Sequence, residues 1–81
     1  MVRILYFAQL VDRLGTSAEE LTPPSEVTTV RALLEHLRQR GPDWRRVLAD
    51  DTVRVTVDRQ LASLDTSIAG AKEIGLLSAR P

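Results

Sequence analysis

A chain of 81 residues, 43% hydrophobic and 27% charged, can bury one core but is too short for two lobes around a cleft. Eleven basic residues balance eleven acidic ones, so no net field draws the chain to nucleic acid or to an anionic membrane. The absence of cysteine removes disulfides, thiolate chemistry and zinc–thiolate sites together. All but one of the basic residues are arginine, a bias that phosphate recognition or, more simply, the composition of the source genome would produce. No apolar run is long enough to span a bilayer, and MVRILYFAQ lacks the features of a signal peptide. The expectation is a single cytoplasmic domain.

Residues 2–8 (VRILYFA) are apolar on both alternations, the pattern of a strand buried on both faces or lying in mid-sheet. Residues 9–14 (QLVDRL) suit a short helix closed by Gly15. Residues 17–21 form a weak strand that Pro23 and Pro24 forbid from continuing. The main helix follows, capped by Thr28 or Thr29, with Val30, Leu33, Leu34 and Leu37 on one face and Gly41-Pro42 as its stop. Residues 42–48 give a second, shorter helical segment with Trp44, Val47 and Leu48 to one side. Residues 52–57 (TVRVTV) alternate, placing Val53, Val55 and Val57 inward and Arg54 and Thr56 outward. A turn at 58–60, a short return strand at 61–64 and a loop at 65–70 lead to a last apolar strand at 74–77. Strands around one amphipathic helix imply an α+β domain with a single sheet covered on one face. The two most apolar strands, the first and last, belong side by side at its centre, and the helix between them permits a parallel pair.

Little in the chain can do chemistry. The one histidine, His36, sits beside the apolar helix face, and Glu35 points about 100° away from it around the helix. No spacing of His, Asp and Glu suits a metal. Asp50-Asp51 reads as a solvated loop, and the isolated glycines make no phosphate loop. Arg38, Arg40, Arg45 and Arg46 around Trp44 form a cluster with some nucleic-acid character, interrupted by Asp43 and Asp50. Neither a nucleic-acid nor a membrane partner is expected.

Several stretches resemble the small subunits of molybdopterin synthase: LYFAQLVDRLGT from Leu5 to Thr16, the capped helix TTVRALLEHL, VTVDRQL from Val55 to Leu61, and GAKEIGLL before the tail. These proteins are ubiquitin-like sulfur carriers of the β-grasp fold, related to the carrier of thiamine synthesis. The resemblance runs through the whole chain in order and rests most on Phe7-Ala8 with Gly15-Thr16 and on Lys72-Glu73-Ile74. It implies a mixed sheet of four to five strands with one main helix across it, a domain over residues 1–77 and a carrier tail over 78–81. In the family, the tail ends in Gly-Gly. An E1-like enzyme adenylates its carboxylate with ATP, sulfur transfer makes a thiocarboxylate, and the tail enters the large synthase subunit.

The resemblance therefore implies two partners, no cofactor bound to the chain itself, and no catalytic residue within it. The implied docking residues are Phe7, Leu76, Leu77, Ser78, Ala79, Arg80 and Pro81. Phe7 reads either as an interface residue or as a buried aromatic, and alternation makes one of Leu76 and Leu77 core. Ser-Ala-Arg-Pro stands where the stalk should be, without the glycines. Either the sequence stops short of them, which the length of the stalk favours, or the chain is a homologue that kept the fold and lost the tail chemistry. The alternative functions are accordingly a β-grasp interaction module without sulfur, or a carrier serving thiamine, cysteine or tRNA thiolation.

Overall fold

One amphipathic helix and several one-sided strands leave a simple solution, a sheet that buries one face under the helix. The computed structural model describes residues 1–79. Its elements are β1 (Val2–Tyr6), α1 (Gln9–Leu14), β2 (Ala18–Leu21), α2 (Val30–Arg38), α3 (Pro42–Val47), β3 (Val53–Val57), β4 (Gln60–Ala62) and β5 (Glu73–Ser78). The sheet runs β2-β1-β5-β3-β4. β1 and β5 are parallel neighbours in its centre, with Ile4 opposite Ile74 and Tyr6 opposite Leu76. The other pairings are antiparallel.

Burial alternates along β1: Val2, Ile4 and Tyr6 face the core, Arg3 is exposed and Leu5 half-buried. The mid-sheet reading of residues 2–8 therefore holds, whereas burial on both faces does not, because the helices cover only the other side. The strand also ends at Tyr6, since Ala8 turns the chain into α1 with φ 52° and ψ −122°. Gly15 closes α1 in the left-handed conformation, its N–H donating to the Val11 carbonyl at 2.8 Å.

α2 is the lid of the core. Val30, Leu33, Leu34 and Leu37 are each 0% exposed and meet Ile4, Ile74 and Leu76 in one apolar cluster. The first N–H groups of a helix have no partner inside it, and here each finds one outside. Val30 and Arg31 donate to the carbonyls of Thr66 and Leu64 (3.0 and 2.8 Å) and Ala32 to Thr29 Oγ1 (3.2 Å), after which Leu33 makes the first helical bond, to the Thr29 carbonyl (3.0 Å). The loop before β5 is thus bound to the helix start, and Ile68 within it is buried. α2 stops at Arg38, before the expected Gly41, and a turn at 39–40 leads into α3. Asp50 and Asp51 are exposed in a turn, as expected, and Asp50 also pairs with Arg38 and lies 3.8 Å from Arg31, while Arg38 Nε donates to the Leu48 carbonyl at 2.8 Å.

The β3–β4 hairpin turns at Asp58 and Arg59, both with positive φ (49° and 72°), as a two-residue turn of this twist demands. β4 accordingly begins at Gln60 and ends at Ala62, earlier than the expected 61–64. Val57, next to that turn, is only half-buried.

A polar clamp joins β1, β2 and the α2–α3 junction. The Tyr6 hydroxyl donates to Glu19 Oε2 at 2.7 Å, and Arg40 donates to both Glu19 oxygens at 2.7 Å. The Arg40 guanidinium lies 4.7 Å from the Trp44 ring centre, and that ring meets Tyr6 edge-on at 5.8 Å. Arg40 holds the Glu19 carboxyl below its ordinary range, against the opposing effect of burial. Burial, then the bond to Glu19, pushes the Tyr6 phenol up. A carboxylate with a lowered folded pKa contributes stability above its ordinary pKa, and that contribution is lost as pH falls through the lowered value. Glu19→Gln is expected to cost about 1–2 kcal/mol at pH 7, a charge-assisted bond discounted for partial exposure. The gap to the parent should close as urea denaturation is repeated down the acid range. Equal stability at pH 7 would show that the clamp adds nothing.

Candidate functional site: the open sheet face and the end of β5

The sheet face away from α2 is built from the outward residues of the strands. Register aligns one row across all five: Ala18, Leu5, Gly75, Thr56 and Leu61. Leu77 stands in the next outward row, opposite Arg54. Phe7 follows β1 directly, its N–H donating to the Leu76 carbonyl at 3.1 Å. Phe7 is 42% exposed and Leu61 71%, while Leu5 and Leu77 are half-buried. The result is an apolar patch with an arginine at its border.

Gly75 lets the patch close up. A Cβ there would stand 2.5 Å from Thr56 Oγ1 and 3.2 Å from Phe7 Cε2. The Phe7 ring and the Thr56 side chain therefore occupy space that any other residue at 75 would claim.

Because β5 runs parallel to β1, its last residues emerge beside Phe7. Ser78 is still in the sheet opposite Val53, and the Ala79 N–H donates to the Thr52 carbonyl at 2.9 Å. Both are half-buried. Next to them lies a shallow cavity of about 160 Å³ whose polar lining is Gln9, Arg13, Arg46, Thr52 and Ser78.

Among the expected docking residues, Phe7 and Leu77 reach the open face together. Leu76 does not: it is 0% exposed, paired with Tyr6 on the core side, so its assignment to a docking surface is corrected. Ser78 and Ala79 are anchored to β3 rather than forming a free stalk, which moves the end of the sheet one residue past the expected boundary at 77. Arg80 and Pro81 lie outside the described residues. Sequence reasoning missed Leu61 and Gly75. The hairpin turn at 58–59 was the available signal, since it sets Gln60 opposite Val57 and so turns Leu61 outward.

Three of the four clustered arginines have partners within the fold. Arg38 is bound to Asp50 and Leu48, Arg40 to Glu19, and Arg46 lies 3.6 Å from Asp43. Trp44 is covered by Arg40 and Tyr6, so its ring is not offered to a base. His36 is half-buried on α2. Among the described residues, no three His, Asp or Glu side chains are placed to hold a metal, and no helix is long and apolar enough to cross a membrane.

Comparison with known proteins agrees with this geometry. Residues 4–79 match the family model described as the ThiS family. The molybdopterin synthase sulfur carrier subunit of Escherichia coli (strain K12) is 30% identical over 74 residues, covering 91% of this chain and 89% of that protein. The Haemophilus influenzae protein of the same name shows the same identity and coverage. Among solved structures, SAMP1 from Haloferax volcanii superposes with a TM-score of 0.75 at 23% identity, covering 95% of this chain and 92% of that one. A Pyrococcus furiosus protein assigned as molybdopterin converting factor subunit 1 gives 0.71 at 22% identity, with 95% and 94% covered. The architecture is the ubiquitin-like β-grasp.

Gly75→Ala is expected to push Thr56 and the Phe7 ring off the face and to cost about 1–3 kcal/mol in urea denaturation, the range for overpacking. Thr56→Ala in the same chain should recover part of that cost by removing the closer clash. An unchanged Phe7 NMR environment in Gly75→Ala would show that the ring does not rest there.

Proposed function

The chain belongs to the ThiS family, and from that premise we propose that it is the sulfur-carrier subunit of a molybdopterin synthase. The observation that carries this reading is the parallel pairing of β1 with β5, which brings Phe7, Leu77 and the end of the last strand together at one end of the central strands. A carrier needs a docking face beside the carboxyl end that it delivers. The relatives named as molybdopterin synthase sulfur carrier subunits support the pathway.

In this reading the chain supplies recognition and its partners supply reactivity. An E1-like enzyme, using ATP, joins AMP to the carboxyl terminus and releases pyrophosphate. A sulfur donor then displaces AMP to leave a thiocarboxylate. The large synthase subunit takes up the charged tail and transfers the sulfur to its pterin substrate. Phe7, Leu61 and Leu77 form the apolar docking patch, and Ala79, held to Thr52, sets the point from which the tail departs. An extended segment leaving a strand is recognised through its main chain and a few flanking side chains.

The test takes the natively expressed protein with its mature carboxyl terminus, an activating enzyme, ATP and a sulfur donor. Intact mass should rise by the exchange of one oxygen for sulfur, and the product should bind a molybdopterin synthase large subunit. Leu61→Asp is expected to leave stability within about 0.5 kcal/mol, as an exposed substitution does. The same change should weaken that binding about tenfold or more, as burying an unpaired charge would. Sulfur uptake without affinity for the large subunit would assign the carrier to another pathway. No sulfur uptake would leave a β-grasp interaction module.

A further inference from the structure

Ala8 breaks a local rule, and what holds it there is the turn around it, which delivers Leu10 into the core. Its φ of 52° and ψ of −122° belong to the first central position of a type II′ turn, where glycine is the residue without strain. The turn is complete: the Leu10 N–H donates to the Phe7 carbonyl, and the Val11 N–H to the Ala8 carbonyl, both at 3.1 Å. The Ala8 side chain is exposed, so its methyl gains no core contact in return. Non-glycine residues in such conformations persist only where their surroundings impose them, and they concentrate at clamps and switches.

What Ala8 adjoins is the exposed aromatic of the open face. Phe7 has one backbone bond to β5 and a ring resting on Gly75, and it is 42% exposed. Strain at 8 raises the free energy of the closed turn relative to an opened one in which Ala8 returns to negative φ. It therefore lowers the cost of moving Phe7. We propose that residues 7–10 form a strained hinge: when a partner docks on the open face, the turn opens, Ala8 relaxes, and the Phe7 ring leaves Gly75 to enter the partner. This rests on the docking role given to the open face above.

Ala8→Gly removes the strain, and D-alanine at position 8, introduced by chemical synthesis, removes it while also locking positive φ. Both are expected to raise the thermal midpoint by roughly 4 °C or more. Both should weaken binding to the large synthase subunit by about fivefold or more, the factor that about 1 kcal/mol of lost strain converts to. A raised midpoint with unchanged or tighter binding would overturn the hinge in favour of a rigid platform. No rise in midpoint with D-alanine, which leaves the unfolded chain no freer than the parent, would overturn the strain itself. NMR relaxation dispersion on the free protein gives a partner-independent readout: exchange at residues 7–10 in the parent, quenched in Ala8→Gly, is the expected result, and its absence in the parent overturns the hinge. If the parent binds no large subunit, the proposed function fails, and the dispersion measurement still decides the hinge.

Discussion

The parallel contact between β1 and β5 is the constraint from which the rest of the molecule follows. Ile4 opposite Ile74 and Tyr6 opposite Leu76 place the most apolar strands in the middle of the sheet, where α2 can cover them. A parallel pair cannot be joined by a tight turn, so everything between residues 7 and 72 must travel out and return. The same pairing settles polarity. β1 hands over to Phe7 at the end where β5 finishes, and the apolar patch and the departing chain become neighbours without any dedicated element to unite them.

That long connection is not loose. The carbonyls of Leu64 and Thr66 meet the opening N–H groups of α2, and the Ile68 N–H donates to the Thr28 carbonyl at 2.9 Å. The segment entering β5 is thereby tied to the helix that covers β5. On the other side, the Tyr6–Glu19–Arg40 clamp ties β2 to the helical layer. The core face is braced through the loop before β5 and through β2, and neither tie crosses the opposite face.

Elements with a strong local period were legible in the sequence. The α2 stripe, its cap at one of two threonines, the Gly15 stop of α1 and the alternation of β3 each depend on neighbours a few residues away. What escaped depends on partners distant in the chain. Leu76 and Leu77 are adjacent and equally apolar, and only the register against Tyr6 decides which one is core. Gly75 reads as a weak point in a strand until Phe7 and Thr56 are seen over it. Asp50 is exposed as read, but its pairing with Arg31 and Arg38 was not legible because they reach it from another element. Ser78 and Ala79 looked like tail because Val53 and Thr52, which hold them, come from the hairpin.

The two borders of the sheet carry a further consequence. A face with Phe7 and Leu61 uncovered, on a sheet with open margins, is an invitation to polymerise strand upon strand. Both margins discourage it. β2 presents Glu20 and is followed by Pro23 and Pro24, and β4 offers only three residues before the chain turns away toward α2. Sideways growth of the sheet therefore meets charge and proline at one margin and a strand of only three residues at the other, so the bare apolar face is not joined to a long free strand edge.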